Sequence, residues 1–431
     1  MSTASGELQE SEPDRYASRG LAGSRGCLGR RLVIRTGLLS LLVLLVFVLR
    51  SKPELIYDEP NHCATVARLK TAGFSAQSLR EVSLVSSGPL YAVVHTILRP
   101  VTALQPRAMR LANVALLLGT MGLIYRTLLM RESTHAEPMA LSLLAAPTVW
   151  VISGLALTEM PAMLCAMAAT YGLLRALRSG AGESGGGRAF AWAIGAGLAA
   201  GLSVTGRQAF LALFLAAPLL ATRKNWRLVA AFIGVGAIFP AMLFASWGGI
   251  SPPPLAKVTA GISLDNGVKA LGYAGAMTAI FTMRWFSLGW RTILVVVLVA
   301  IPCNLAFHVV DIQPAYSVVR GLVSADFLPI YGSLAGGVLL ACGVLFALSS
   351  VINAWTGKCD REFLFFCVCG VLLSLTAMKV TTQFSSRYVA IAVPWLLLAA
   401  DRYWRPSVRQ ALRVIVGDAL GFLMLMSYFK A

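Results

Sequence analysis

Thirteen stretches of this chain are apolar for about 14 to 24 residues at a time, with charged residues gathered in the gaps between them. A run of that length, free of charge, cannot be buried in a small water-soluble core and reads as a helix crossing a lipid bilayer. The runs fall near residues 32–49, 111–129, 139–157, 160–177, 189–206, 208–222, 228–247, 268–283, 292–309, 327–350, 363–378, 388–401 and 411–429. Only 13% of the 431 residues are charged, and 57% are hydrophobic. A soluble globular domain carries about 25% charged residues, so a soluble enzyme and a disordered chain are both excluded. The expectation is an all-α polytopic membrane protein, a bundle of 11 to 13 helices forming one domain over residues 32–431, preceded by a basic, disordered tail over residues 1–31.

The net charge of +18 comes from 37 Lys and Arg against 19 Asp and Glu. Nucleic-acid binding is not indicated, because no recognition motif accompanies the charge. The positive-inside rule accounts for most of it. With the first run crossing from the cytoplasm outward, 22 of the basic residues fall in or beside inner segments and 15 outside, eight of the latter at Arg50 and in one long loop over residues 51–110. The N-terminus is then cytoplasmic. The first run is too long for a signal-peptide core and lacks a small-residue cleavage site, so it reads as an uncleaved span. The eight cysteines suggest no disulfide framework, and most lie in apolar runs where Cys behaves as a small hydrophobe. The interruptions and repeats expected of a transporter are not visible.

The acids assigned to the outer side are few: Glu54, Asp58, Glu59, Glu81, Glu159, Asp265, Asp311 and Asp326. Asp58 and Glu59 are adjacent, directly after the first span, with His62 close behind. A carboxylate pair there can supply a general base and a ligand for substrate or metal; Glu59 and His62 could hold a divalent ion. Equally, two acids can simply end a helix in water. Glu159 sits in the tight turn of LTEMPAML, where a helix N-terminus favours it in any case. Arg207 in SVTGRQAF and Arg387 in SSRYVAIAVP, with Lys379 near, contradict the positive-inside rule. An Arg on the wrong side either snorkels to lipid phosphate or holds an anion. Acids after the first and third spans and arginines before the sixth and twelfth converge on one face. That layout suits a phosphate-bearing lipid at the outer leaflet. Residues 60–72 and 89–104 read as short amphipathic helices beside it.

At these residues the chain resembles the GT-C fold glycosyltransferases that use polyprenyl-phosphate sugars, a group that includes protein O-mannosyltransferase-like and aminoarabinose transferase-like enzymes. The likeness lies in YDEPNH, in Gly88 to Tyr91, in the Arg110-to-Asn113 step, and in LTEMPAMLCAMAATYGLLRAL, GLSVTGRQAFLALFLAAPLL, SSRYVAIAVPWLLL and WGGISPPP. It covers most of residues 33–405. The chain departs in having Gly88-Pro89 where such enzymes have His-Pro, and in lacking a soluble C-terminal domain. The resemblance implies an inverting transfer of a hexose or pentose from a polyprenyl phosphate to a glycan, lipid or protein acceptor at the outer face, in a bacterial plasma membrane or, in a eukaryote, the endoplasmic reticulum. Asp58 would be the base, with Glu59 and His62 orienting the acceptor, so Glu59→Gln should hurt less than Asp58→Asn. Glu159, Arg207, Arg387, Tyr388 and Lys379 would bind substrate. The two arginines, little paired by acids, would neutralise the leaving phosphate, with Lys257 in reserve. A polytopic transporter or lipid flippase is the alternative.

The sidedness makes a direct prediction. A cysteine placed at position 77 should react with an impermeant reagent applied outside, and one at position 183 should not; the reverse pattern overturns the assignment.

Overall fold

The computed structural model describes residues 12–73, 75–81, 87–180, 186–256, 261–356, 360–381 and 383–430, with side chains from Cys27 onward except at 81. Every regular element among them is a helix. In chain order these are α1 (Glu12–Arg50), α2 (Glu59–Ala72), α3 (Ala76–Glu81), α4 (Leu90–Ile97), α5 (Arg99–Thr102), α6 (Pro106–Met130) and α7 (Ala136–Leu141). Then come α8 (Pro147–Gly154), α9 (Glu159–Ser179), α10 (Gly186–Gly206), α11 (Leu211–Ala216), α12 (Trp226–Trp247), α13 (Leu264–Phe281) and α14 (Trp290–Phe307). The chain ends with α15 (Tyr316–Val319), α16 (Leu328–Trp355), α17 (Arg361–Leu375), α18 (Arg387–Ala390), α19 (Val393–Ala400) and α20 (Val408–Lys430).

Nine helices among the described residues are long and apolar enough to cross a bilayer: α1, α6, α9, α10, α12, α14, α16, α17 and α20. Counting one bent pair as a span makes ten. The chain is an integral, multi-pass membrane protein. Of the four other apolar runs, three are interrupted helices and one, α13, is unbroken but polar at its start, and the physical reasons differ. Residues 139–157 break at Ala146, which is extended (φ −82°, ψ 112°) because the residue before a proline avoids the α conformation; the two halves meet at 76°. Residues 208–222 split into α11 flanked by 3₁₀ turns, the second containing Pro218. α13 carries Asp265, Asn266 and Lys269 near its start. Residues 388–401 divide into α18 and α19, with Pro394 in the first turn of α19. So interruptions invisible as an apolar pattern are present. They are tolerated because α8 and α19 are buried among protein side chains, not exposed to lipid.

The first helix begins at Glu12, inside the stretch expected to be disordered, and runs unbroken into the first span. Residues 1–11, Lys257, Lys358 and position 183 lie outside the described residues.

Charge is collected in two layers. One gathers Asp58, Glu59, Arg110, Glu159, Arg207 and Arg387. The other centres on Arg131, which pairs with Glu362 at 3.0 Å and Asp401 at 3.3 Å, while Arg178 shares Glu362 at 3.0 Å. Arg110 and Arg131 sit at the two ends of α6, and Glu159 and Arg178 at the two ends of α9. At 1.5 Å per residue the layers are roughly 30 Å apart, the thickness of a bilayer's hydrocarbon core. The alternation of inner and outer segments assigned these same two sets to opposite faces.

Candidate functional site

The site is built on one buried ion pair. Arg110 and Glu59 are both fully inaccessible and meet through two hydrogen bonds, Nε to Oε1 at 2.8 Å and Nη2 to Oε2 at 2.6 Å. The remaining N–H groups of Arg110 donate to Ser51 Oγ and to the carbonyls of Lys52 and Glu54, at 2.6 to 2.9 Å. All five guanidinium donors are thus spent. Glu59 also accepts from the backbone N–H of Ile56 at 2.8 Å and of Ala156 at 2.7 Å. One turn on, Asn113 donates to the carbonyls of Leu155 and Leu157 at 2.7 and 3.0 Å. Tyr91 donates its hydroxyl to Ala156 O at 3.0 Å. α6 therefore fixes the end of α1, the start of α2, α4 and the turn before α9 in one frame.

That saturation corrects the role expected of Glu59. A carboxylate with four donors on its two oxygens has no capacity left for an acceptor hydroxyl or a metal ion. Among the described residues no group of three His, Cys, Asp or Glu side chains could hold a metal. The pair Glu59 and His62 is not a fit for one, and no step is derived through a metal.

On this frame stands a second, less saturated cluster. Asp58 directly precedes α2, and the residue before it, Tyr57, is left-handed (φ 57°), a conformation rare outside glycine. Arg387, opening α18, donates Nη2 to Asp58 at 2.5 Å and brings Nε within 3.8 Å of Glu159. Its guanidinium lies over the rings of Tyr57 and Tyr388, at 5.1 and 5.3 Å. Arg207, between α10 and the following 3₁₀ turn, pairs with the same Glu159 oxygen. Glu159 is thus a bridge holding two arginines, contrary to the expectation that these arginines are little paired. Their partners lie 48 and more than 200 residues away in sequence, out of reach of any local pattern.

Two glycines let these parts meet. A Cβ on Gly88 would lie 2.0 Å from the carbonyl of Thr205, and one on Gly206 would lie under 3 Å from Ala162 and Leu90. The Gly88-Pro89 departure from the His-Pro pattern therefore has a steric cause: no side chain fits between the start of α4 and the end of α10.

The cluster keeps unspent capacity. Arg387 Nε and Nη1, Arg207 Nε, Thr158 Oγ1, Glu159 Oε2 and both ring nitrogens of His62 are buried with no hydrogen-bond partner among the described residues. Buried polar groups are nearly always satisfied, so this concentration marks a place for a polar ligand. Burial lowers the His62 pKa to about 4, opposed by Glu159, so the ring is neutral near pH 7. Asp58, whose side chain is 32% exposed, is the most open member; Glu159 is 1% exposed. Lys379 is exposed and joins none of these ion pairs. Sequence reasoning also passed over Asp418, a buried acid in the middle of α20, and gave Arg110 no role beyond a motif.

No family model matches this sequence, and no curated protein does. Two solved structures are similar in overall course. ArnT from Cupriavidus metallidurans in the apo state is 14% identical over 95% of this chain and 78% of that one, with a TM-score of 0.41. ArnT from Cupriavidus metallidurans bound to undecaprenyl phosphate is 13% identical over 86% and 76%, with a TM-score of 0.39. At such values the roles of residues are taken from this chain's own geometry.

Two predictions follow from the burial. Glu59→Gln should destabilise the protein by about 3 to 5 kcal/mol, because it leaves a buried guanidinium without its counter-charge. In stability, as distinct from rate, Glu59→Gln should therefore be the more damaging of the two, and a thermal melt against Asp58→Asn checks it. His62 and His95 are both pushed down to about 4 by burial, so the unfolded chain binds protons between pH 6.5 and 4 that the folded chain does not. The melting temperature should fall as pH drops through that window. His62→Asn should flatten the slope, and an unchanged slope would show His62 to be charged or exposed.

Proposed function

We propose that the chain is an integral-membrane glycosyltransferase that moves a monosaccharide from a polyprenyl-phosphate donor to an acceptor hydroxyl at the membrane surface bearing Asp58. The observation that carries this reading is the convergence of Arg207 and Arg387 on Glu159, with buried N–H groups left over, beside a carboxylate open to solvent.

The chemistry needs two things. The acceptor oxygen must lose a proton as it attacks the anomeric carbon, and the bond from that carbon to the donor's phosphate oxygen must break on the opposite face. Asp58 takes the proton. The departing lipid phosphate changes from a diester to a monoester and gains one negative charge. Fixed donors aimed at that charge stabilise the transition state more than the ground state. Arg387 and Arg207 are those donors; Glu159 positions both. His62, neutral at working pH, offers a hydrogen bond and no charge. The surface is the outer one on the positive-inside argument, with the N-terminus cytoplasmic. Tyr388 and Tyr57 flank the Arg387 guanidinium. The broken helices at Ala146 and before Pro394 are the features that favour a transporter.

The test is turnover of purified protein with polyprenyl-phosphate sugars, read as released polyprenyl phosphate. Asp58→Asn should cost about 10² to 10⁴ in rate while the protein still melts cooperatively. Arg387→Lys keeps the ion pair's charge but loses the planar fork, so rate and donor affinity should both fall. Alanine at either arginine is less informative than it first looks, since it strands the buried Glu159. Wild-type-like turnover in both Asp58→Asn and Arg387→Lys would sink the assignment.

A further inference from the structure

Between α1 and α20 lies a lateral groove of about 610 Å³. Its walls are Leu42, Val43, Val46 and Phe47 of α1 with Phe422 and Phe429 of α20. Its mouth is Arg50, Ser51 and Lys52. Leu42 is 55% and Val46 42% exposed, so the groove opens toward the surrounding membrane. Arg50 and Lys52 are exposed and form no ion pair among the described residues. They sit at the end of α1 that carries the Asp58 layer, where the positive-inside rule disfavours unpaired cations.

We propose that this groove seats a bilayer glycerophospholipid with an anionic head group. The phosphate lies at Arg50 and Lys52, and one acyl chain runs along Val46 and Phe47. Three observations favour this occupant. The groove descends from Lys52 to Leu42, ten residues or roughly 15 Å, the depth of one leaflet's hydrocarbon. Its wall is wholly apolar below the mouth and cationic at it, matching a chain below and an anion above. It is also partitioned from the cluster. Phe429 carries the Arg110 guanidinium at 4.9 Å, and Arg110 has no donor left for a ligand. Next to it, Tyr428 packs edge-on against Tyr57 at 4.9 Å, and the Arg387 guanidinium lies over the Tyr57 ring at 5.1 Å. A lipid in the groove therefore braces the wall behind the cluster without entering it.

Native mass spectrometry of the purified full chain tests this, in micelles carrying equal amounts of phosphatidylglycerol, phosphatidylcholine and a polyprenyl phosphate. One phosphatidylglycerol per chain should be retained in preference. Arg50→Gln with Lys52→Gln should reduce that retention at least roughly tenfold, since each cation near a membrane surface contributes to holding an anionic lipid. Val46→Trp fills the groove from its lipid-facing side and should displace the chain while the thermal melt stays cooperative. Arg387→Lys should leave retention unchanged. Equal retention of phosphatidylcholine, indifference to Val46→Trp, or loss in Arg387→Lys would each overturn the proposal. Displacement of phosphatidylglycerol from the groove by polyprenyl phosphate would overturn it too, and would assign the groove to the donor. The outcome is independent of transferase activity.

Discussion

The Arg110–Glu59 pair is the contact on which the rest of this layer depends. Two charges withdrawn from water cost several kcal/mol each, and attraction repays that only when every donor and acceptor is met. Here the requirement is met almost entirely by backbone: the carbonyls of Lys52 and Glu54 and the N–H groups of Ile56 and Ala156. The pair therefore dictates the path of residues 51–59, an irregular stretch with no helix of its own to satisfy it. That path leads through the left-handed Tyr57 and delivers Asp58 to Arg387. A saturated, inaccessible pair is what allows an unsaturated one to stand beside it.

The opposite end of the bundle works differently. Arg131 is about a tenth exposed and spreads its charge over Glu362, Asp401 and Asp360, acids contributed by segments far apart in the chain. It also caps its own neighbourhood, since Ser133 donates to Asp401 at 2.6 Å. No N–H edge of Arg131 is left buried and unmatched. The two layers thus share residue types but not chemistry. At one, arginine closes helix ends together. At the other, two arginines are held by too few acceptors.

Much of this was legible in sequence because bilayers impose coarse rules. Nine of the thirteen apolar runs are long helices, and Asp58, Glu159, Arg207 and Arg387, chosen for being on the wrong side or just outside a span, are brought together. What was not legible is pairing. Glu59 and Asp58 are indistinguishable as adjacent letters, yet one is sealed and the other a third exposed. The difference is set by which side of α2's first turn faces Arg110, a residue 51 positions on. The breaks at Ala146 and before Pro394 were hidden for another reason: hydropathy measures whether a segment is apolar, not whether it lies against lipid or protein. Gly88 gave a signal that was noted only as a departure; its steric cause needs Thr205, which no local window contains.

Charge balance sets the last constraint on what the cluster can accept. Asp58 and Glu159 against Arg207 and Arg387 sum to zero, so the cluster's own charges balance although its donors are not all met. A lipid phosphodiester brings one negative charge, and on the proposed reading its departure as a monoester brings a second. Neither can be met by acids shifting their protons cheaply, because Glu159 is already committed to two guanidinium groups. The compensation must come from the open edges of those groups, Nε and Nη1 of Arg387 and Nε of Arg207. On the proposed reading, a phosphate at those edges competes with Asp58 for the Arg387 guanidinium, which holds Asp58 through Nη2. On that reading Asp58, the carboxylate most exposed in the cluster, is freest to act as a base when an anion shares Arg387.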